Sequence, residues 1–228
     1  IAGYIVQERI GAGGYGEVWR AEAPGGLAKA IKFVYGYLDD ERAARELKAL
    51  NRIKEVRHPF LLSLERIEVV DGQLIIVTEL AEMSLKDHYD LQSTPDKPGI
   101  PRADLLGFLS DAADALDYMR EKFSLQHLDV KPENLLMIGG RVKVADFGLV
   151  KDINEAAGSL MGGLTPTYAP PEAFDGKPSL RSDQYSLAIV YQEMLTGILP
   201  FPGTTTAQLA IQHLDAKPRL GALPEFDR

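Results

Sequence analysis

The stretch that decides the fold is His127-Leu128-Asp129-Val130-Lys131-Pro132-Glu133-Asn134, and Asp146-Phe147-Gly148 follows it. Asp129 can accept a proton from a hydroxyl group, and Lys131 can neutralise the charge of a moving phosphate. Asn134 and Asp146 offer hard oxygen ligands of the kind that Mg²⁺ prefers. The stretch therefore predicts a site for phosphoryl transfer, with Asn134 and Asp146 as metal ligands.

A glycine-rich stretch lies far upstream, Gly11-Ala12-Gly13-Gly14-Tyr15-Gly16-Glu17-Val18, and Ala30-Ile31-Lys32 follows it. Because glycine lacks a β-carbon, the backbone can turn tightly there and bring amide N–H groups against phosphates. Taken alone, the pattern Gly-x-Gly-x-x-Gly is more often a tight turn or a dinucleotide-binding loop. A strand pattern follows these glycines instead of a helix, which argues against the dinucleotide fold.

These motifs occur in the order typical of protein kinases, and nearly all of the chain resembles the eukaryotic-like serine/threonine kinases found in bacteria. The resemblance implies an α+β fold of two lobes. Residues 1–80 would form a small lobe, an antiparallel sheet with one helix, and residues 81–228 a larger, mainly helical lobe. The implied activity is transfer of the γ-phosphate of ATP to Ser or Thr hydroxyls of proteins, with ATP and Mg²⁺ as cofactors.

The resemblance also implies a role for each motif residue. Asp129, Lys131 and Thr165 would act at the acceptor hydroxyl, and Lys32 would bind the α- and β-phosphates. The nucleotide would contact the glycine-rich stretch, the adenine pocket and the segment beside it, that is, Gly11, Ala12, Gly13, Gly14, Tyr15, Gly16, Val18, Ala30, Lys32, Thr78, Glu79, Ala81 and Leu136.

The expected partner of Lys32 is a glutamate on a helix predicted from about residue 40 to residue 56. We predict Glu46, because Leu50 then lies one turn later on the same face. The chain from Glu46 to His58 is about one helical turn longer than is usual in the family. Glu41 therefore remains an alternative.

Other assignments also have structural alternatives. Asp129 could cap a loop, which is the commonest role of a loop aspartate, and Thr165 could be a turn hydroxyl. Lys32 could be a solvated surface lysine. Asp183 resembles the family aspartate that anchors the catalytic loop, although it could also cap the helix that it begins. His127 matches a position of the hydrophobic spine, and we interpret it as a packing residue and not as a base.

The amino-acid composition of the chain limits the classes of molecule that it is expected to bind. The chain has 228 residues, 45% of them hydrophobic, with a net charge of −8 and no cysteine. No apolar run approaches the length that spans a bilayer. The negative charge disfavours nucleic acid, and the lack of cysteine excludes disulfides and is typical of cytosolic proteins. We therefore expect protein substrates, no nucleic acid, no membrane contact within this segment and a cytoplasmic location; the oligomeric state is left open.

Two features depart from the family pattern. Leu128 stands where the family usually has an arginine, so the cation that would pair with a phosphate on the activation segment is missing. The second departure is Tyr168-Ala169-Pro170-Pro171-Glu172, where the family usually has Ala-Pro-Glu. Glu172 still matches the family glutamate, but the arginine partner expected for it would lie beyond Arg228. We therefore expect the C-terminal helices to be missing and the chain to be an excerpt of a longer protein.

Two other functions remain open. The first is a nucleotide-binding pseudokinase that acts as a scaffold, against which the full set of catalytic side chains argues. The second, less favoured, is a small-molecule phosphotransferase. Lys131 and the predicted substrate-docking segment from Thr165 to Glu172 argue against that function.

Overall fold

The structure is a computed structural model that describes residues 1–13, 16–35, 41–94, 96, 98–148, 151–152 and 165–227. Within helices and strands it leaves out the side chains of residues 41–43, 45, 46, 151 and 152. The turn residues Pro24-Gly25-Gly26 and Asp71-Gly72 predict hairpins in the first eighty residues, and the structure shows them as the antiparallel pairs β2–β3 and β4–β5.

Five antiparallel strands form the first sheet, in the order β1-β2-β3-β5-β4. Positive φ angles at Gly25 and Gly26, and at Asp71 and Gly72, close two of its hairpins, as the turn residues predict. The strands are β1 (Ile5–Gly13), β2 (Gly16–Ala23), β3 (Leu27–Val34), β4 (Leu64–Val70) and β5 (Gln73–Glu79).

One helix, α1 (Glu41–Ile53), lies between β3 and β4 in the chain. Its apolar positions Ala49, Leu50 and Ile53 are buried in the main core, as their spacing predicts. The helix ends at Ile53, earlier than the sequence suggested. The division of the chain into lobes at residues 80 and 81 stays a prediction, although the first sheet ends at Glu79.

The chain then becomes mainly helical. A short strand, β6 (Met83–Ser84), leads into α2 (Leu85–Gln92). The Ser84 side chain and the Asp87 side chain cap the start of this helix reciprocally, a signal that the sequence analysis did not use. Next comes α3 (Arg102–Phe123), in which helical spacing predicts one buried apolar stripe. The structure buries this stripe, which consists of Leu105, Leu109, Ala112, Leu116 and Met119.

Short strands frame the motif loops. They are β7 (Leu125–Gln126), β8 (Leu135–Ile138), β9 (Arg141–Val144) and β10 (Lys151–Asp152). Apolar residues on both sides of Gly139-Gly140 predict a hairpin, which β8 and β9 form, and both glycines take positive φ in its turn. Three helices complete the described chain: α4 (Pro171–Phe174), α5 (Ser182–Thr196) and α6 (Thr206–Asp215).

A single large apolar cluster joins α1, β5, α3, the β8–β9 hairpin, α5 and α6. The β8–β9 hairpin packs into this cluster, so the cluster holds the hairpin and the motif residues at its two ends in place. Among the helices of the described residues, none combines the length and apolarity needed to cross a membrane.

A buried carboxylate attaches the β8–β9 hairpin to α3. Asp111, only 4% exposed, accepts hydrogen bonds from Arg141 Nε (2.8 Å) and from the backbone N–H of Val142 (3.2 Å). Arg141 Nη2 also donates to this carboxylate. The carboxylate therefore satisfies a buried backbone donor at the start of β9.

This anchor predicts unequal effects of two substitutions. Asp111→Ala leaves the Val142 N–H without its partner, which should lower the free energy of unfolding by about 1–3 kcal/mol. Arg141→Ala should have a smaller effect, because the Arg141 side chain is 60% exposed. Urea denaturation of both variants measures the difference. A larger loss for Arg141→Ala would contradict this account of the hairpin.

Candidate active site

The motif loop from His127 to Asn134 is held from below by a carboxylate on α5. Asp183 Oδ2 accepts from the backbone N–H of His127 (2.8 Å), and Oδ1 accepts from that of Leu128 (2.8 Å). Burial raises the pKa of Asp183, and these two N–H groups act in the opposite direction together with His127. The predicted anchoring role is confirmed. The alternative of a helix cap is wrong, because Asp183 lies inside the first turn of α5.

His127 is fully buried and pairs with backbone groups. Its Nε2 lies 2.9 Å from the carbonyl oxygen of Ala145, and its Nδ1 accepts from the N–H of Asp129 (3.3 Å). These bonds assign the proton to Nε2. The ring packs edge-on against Phe147, with 5.7 Å between centroids. His127 therefore has the environment of a packing residue, as the sequence analysis expected.

Asp129 lies at the centre of a cluster of side chains. Its Oδ2 accepts from Lys131 Nζ (2.8 Å) and Asn134 Nδ2 (3.0 Å), and its Oδ1 accepts from the Thr165 hydroxyl (2.8 Å). Lys131 Nζ also donates to Thr165 Oγ1 (2.9 Å). Within the described residues these partners are side chains, so the loop-cap and turn-hydroxyl alternatives are not supported. The four residues are brought together; their catalytic roles stay predictions.

Lys32, on β3, reaches across to the other motif. Its Nζ donates to Asp146 Oδ1 (3.1 Å), and its side chain is only 18% exposed, so it is not a solvated surface lysine. Burial acts to raise the pKa of Asp146, but the Lys32 ammonium outweighs burial and holds this pKa below its usual value. Asp146 is therefore a carboxylate at neutral pH.

The expected glutamate partner of Lys32 lies outside what the structure describes. The side chains of both candidates, Glu46 and Glu41, are among those left out of α1. The choice between them stays a prediction. Leu50, one turn after Glu46, lines the cavity described next, so this face of α1 is directed towards the motif residues.

A cavity of about 830 Å³ opens between the first sheet and the β8–β9 hairpin. Apolar side chains form most of its lining, and Lys32, Asn134 and Asp146 are among the polar residues that line it. Of the residues predicted to contact the nucleotide, those that line it are Gly11, Ala12, Val18, Ala30, Lys32, Thr78, Glu79, Ala81 and Leu136. A cavity of this size, mainly apolar and with a few charged and amide side chains in its lining, fits a nucleotide.

The remaining predicted glycine-loop residues have different positions. Gly13 ends β1 and Gly16 begins β2, and neither lines the cavity. A β-carbon on Gly16 would overlap the carbonyl oxygen of Phe33, so this position requires glycine for close strand packing. Gly14 and Tyr15 lie outside the described residues.

The segment that follows β5 is tied to the β8–β9 hairpin through Glu79. The Glu79 carboxylate accepts from Lys143 Nζ on β9 (2.8 Å to each oxygen) and from the N–H of Ser63 (2.8 Å). Burial acts to raise the pKa of Glu79, but Lys143 and the Ser63 N–H outweigh it and lower this pKa. The sequence analysis missed this pairing, since no local pattern connects residues 79 and 143.

The two departures from the family pattern have structural counterparts. Leu128 is 3% exposed with φ +66°, so an apolar side chain occupies the position of the missing cation. Glu172 accepts hydrogen bonds from the hydroxyls of Ser179 (2.7 Å) and Ser182 (2.7 Å). Burial acts to raise the pKa of Glu172, but these hydroxyls help to lower it. The two serine hydroxyls are therefore the hydrogen-bond partners of Glu172, for which an arginine was expected.

The donor set fits a metal that is bound together with a nucleotide. Among the described residues, no cluster of three or more His, Asp or Glu side chains could hold a metal alone. Asp146 supplies a carboxylate, and the amide nitrogen of Asn134 is occupied by Asp129, which leaves the amide oxygen as its ligand atom. Mg²⁺ commonly takes one or two protein ligands and completes its shell with phosphates and water.

Comparison with known proteins agrees with this geometry. Residues 4–224 match the family model described as "Protein kinase domain". The chain is 31% identical to the serine/threonine-protein kinase PknF of Mycobacterium tuberculosis over 95% of its own length and 48% of the relative. It is 32% identical to PknL of the same species, covering 98% of this chain and 58% of the relative.

A third relative, the probable serine/threonine-protein kinase PknB of Lactococcus lactis, is 28% identical over 92% of this chain and 34% of its own length. The chain thus spans about half the length, or less, of several curated relatives that it matches. These matches confirm the resemblance to bacterial serine/threonine kinases and the two-lobed α+β fold. Members of the family generally use ATP and Mg²⁺. The chain belongs to the protein kinase family.

Proposed function

We propose that this chain is a catalytic domain that transfers the γ-phosphate of ATP to Ser or Thr hydroxyls of proteins. The observation that carries the proposal is the cluster around Asp129. A carboxylate, an ammonium and a hydroxyl lie within hydrogen-bonding distance of one another, beside a cavity of nucleotide size. Phosphoryl transfer needs positioning and charge stabilisation more than covalent chemistry, and this cluster supplies both.

In the proposed reaction, Asp129 accepts the proton of the acceptor hydroxyl as the oxygen attacks the γ-phosphorus. Lys131, already paired with Asp129, offsets the negative charge that moves onto the transferring phosphate. Thr165 holds both side chains in place through its hydroxyl. Lys32 would bind the α- and β-phosphates, and its bond to Asp146 keeps it directed into the cavity.

The metal would be held by Asp146 and Asn134. When bound, Mg²⁺ supplies neutralisation of the charge on the β- and γ-phosphates. Asn134 Nδ2 donates to both the backbone oxygen (2.8 Å) and Oδ2 (3.0 Å) of Asp129. These two bonds hold the proposed metal ligand beside the proposed base.

The proposal that Ser and Thr hydroxyls accept the phosphate rests on two observations. Lys131 and Thr165 together are typical of serine/threonine kinases, and the relatives are named as such kinases. We propose protein substrates and no nucleic-acid partner, since the net charge of the chain is −8. The absence of cysteine supports a cytoplasmic location for the domain.

Substitution of Asp129 tests the proposal. Asp129→Asn keeps the shape of the side chain but removes the base, so the initial rate of transfer should fall by about 10²–10⁴. Affinity for Mg²⁺-ATP should barely change. Rates measured with radiolabelled ATP on the full-length protein, against a mixture of proteins and separately against a mixture of metabolites, give both the size of the effect and the acceptor class.

Asp146→Asn is the matched control, because it removes a charged ligand of the metal and leaves Asp129 in place. It should weaken nucleotide binding itself, which Mg²⁺-dependent thermal shifts would detect. Undiminished transfer by Asp129→Asn would show that the assigned base is wrong. If the unchanged protein binds nucleotide but transfers no phosphate, it is a scaffold, and labelling of metabolites alone would indicate a small-molecule phosphotransferase.

Thr78 provides an independent test of how the cavity is used. It lines the inner wall of the cavity together with Ile76 and Leu64, and its hydroxyl donates to the Glu79 carbonyl (3.0 Å). In Thr78→Met, the longer side chain should fill the space beside this wall. ATP-competitive inhibitors with a bulky group behind the adenine-like ring should therefore bind at least about tenfold more weakly. Thr78→Ser is the control that keeps the space open. Equal affinities for the Met and Ser variants would place the inhibitor elsewhere.

A further inference from the structure

Gln126, on β7, is a buried polar residue that the proposed reaction does not use. It is 2% exposed and directly precedes His127, the first residue of the motif loop. A buried amide needs hydrogen-bond partners, because an unpaired one lowers the stability of the fold. The partners of this amide therefore show what Gln126 connects to the motif loop.

Two acceptors lie within hydrogen-bonding distance of the Gln126 amide. One is Oδ2 of Asp183 and the other is the carbonyl oxygen of Ser179, and each is 3.2 Å from the same terminal atom of the side chain. Only the NH2 group of an amide can donate, so this atom is assigned as the nitrogen. Its two hydrogens match the two acceptors, and the amide therefore bridges Asp183 and Ser179.

The first acceptor is the oxygen that already holds the motif loop. Asp183 Oδ2 accepts from the backbone N–H of His127 (2.8 Å), so the Gln126 amide is a second donor to the same atom. A buried carboxylate is stabilised by each donor, because the donors replace the water that burial removes. Gln126 therefore strengthens the group on which the backbone before Asp129 depends.

The second acceptor belongs to the turn that leads into α5. The Ser179 carbonyl also accepts from the N–H of Ser182 (3.2 Å), and the N–H of Ser179 donates to Ser182 Oγ (2.8 Å). The hydroxyls of both serines donate to Glu172, the last residue of the predicted substrate-docking segment. A continuous series of hydrogen bonds thus connects Glu172 to the motif loop, and Gln126 is the residue that joins its two parts.

A cavity of about 230 Å³ adjoins this bridge, since both Gln126 and Asp183 line it. The other charged side chains in its lining are Asp117 and Arg120, on α3. Arg120 pairs with Asp117 (2.9 Å) and Glu121 (3.0 Å). Gln126 does not line the nucleotide cavity, so an effect of Gln126 on the reaction must pass through its partners.

We propose that Gln126 is a positioning residue of the motif loop: its amide holds the Asp183 carboxylate against the turn at residues 179–182 and thereby fixes the backbone that carries Asp129. This inference rests on the proposed function, in which Asp129 is the base. It assigns an effect on the rate of phosphate transfer to a side chain outside the nucleotide cavity.

The first test removes both donors and keeps the length of the side chain. In Gln126→Met, Asp183 Oδ2 and the Ser179 carbonyl lose a partner, so the backbone before Asp129 should be held less firmly. We expect kcat for a protein substrate to fall about tenfold, as the loss of a hydrogen bond to a charged group would produce. The KM for ATP should stay within about twofold. A kcat within twofold of that of the unchanged protein would overturn the proposal.

The second test makes the donor depend on pH. In Gln126→Glu, burial and the neighbouring Asp183 charge should raise the pKa of the new carboxyl, against a smaller opposite effect of Arg120, which already has two partners. Below that pKa the carboxyl donates its proton to Asp183, and above it two carboxylates face each other. The ratio of kcat to that of the unchanged protein should therefore fall at least about fivefold as pH rises from about 6 to about 9, the range in which buried glutamic acids titrate.

Gln184→Glu is the matched control. Gln184 lines the same cavity but is exposed, so this variant adds the same charge nearby without a change to the bridge. Its kcat ratio should stay flat over the same pH range. A purely structural role of Gln126 would lower the melting temperature of its variants but leave kcat unchanged well below melting. A kcat ratio for Gln126→Glu that does not fall as pH rises would overturn the donor role, and this comparison decides the question if Gln126→Met does not fold.

A further measurement does not depend on activity. Hydrogen exchange at the amides of His127 and Leu128 reports the anchor directly, because both donate to Asp183. Exchange should be faster in Gln126→Met than in the unchanged protein or in Gln184→Glu, and equal exchange would overturn the positioning role. If the unchanged protein transfers no phosphate, the proposed function fails and the exchange result still decides the role of Gln126.

Discussion

The active site depends on one buried interaction, the two hydrogen bonds by which Asp183 accepts from the backbone of His127 and Leu128. A carboxylate in the core is costly, as the raised pKa of Asp183 shows, and removing such a group's partners would cost more still. The two N–H groups fix the backbone just before Asp129. The positions of the site residues that follow in the loop, from Asp129 to Asn134, depend on this segment.

Two residues of the motif loops have unusual backbone angles. Leu128 and Asp146 both have positive φ, at +66° and +60°, which costs about 1–3 kcal/mol for a residue other than glycine. Leu128 is held by its bond to Asp183, and the residue before Asp146 accepts from the His127 ring. His127 therefore joins the two strained positions. These backbone angles occur directly before Asp129 and at Asp146, which lines the cavity.

The two halves of the chain meet through contacts that are distant in sequence. Lys32 and Asp146 are 114 positions apart, and Glu79 and Lys143 are 64 apart. Both ion pairs are partly shielded from water. Each pair therefore limits how the first sheet can move relative to the β8–β9 hairpin. The single apolar cluster beneath them continues from α1 to α6. The relative position of the two halves therefore determines the shape of the cavity between them.

The amino-acid sequence by itself determined the family, the five strands of the first sheet, the longer helices, and the identity of the residues around Asp129. Those inferences rest on short-range chemistry: glycine and Asp-Gly turns, apolar spacing and motif residues that lie close in the chain. For Asp183, the sequence suggested both an anchor and a helix cap, and the tertiary structure decided for the anchor. Tertiary structure alone decided that Glu79 pairs with Lys143 and that Glu172 accepts from two serine hydroxyls. These depend on which side chains the core brings together, and no local pattern records such long-range contacts.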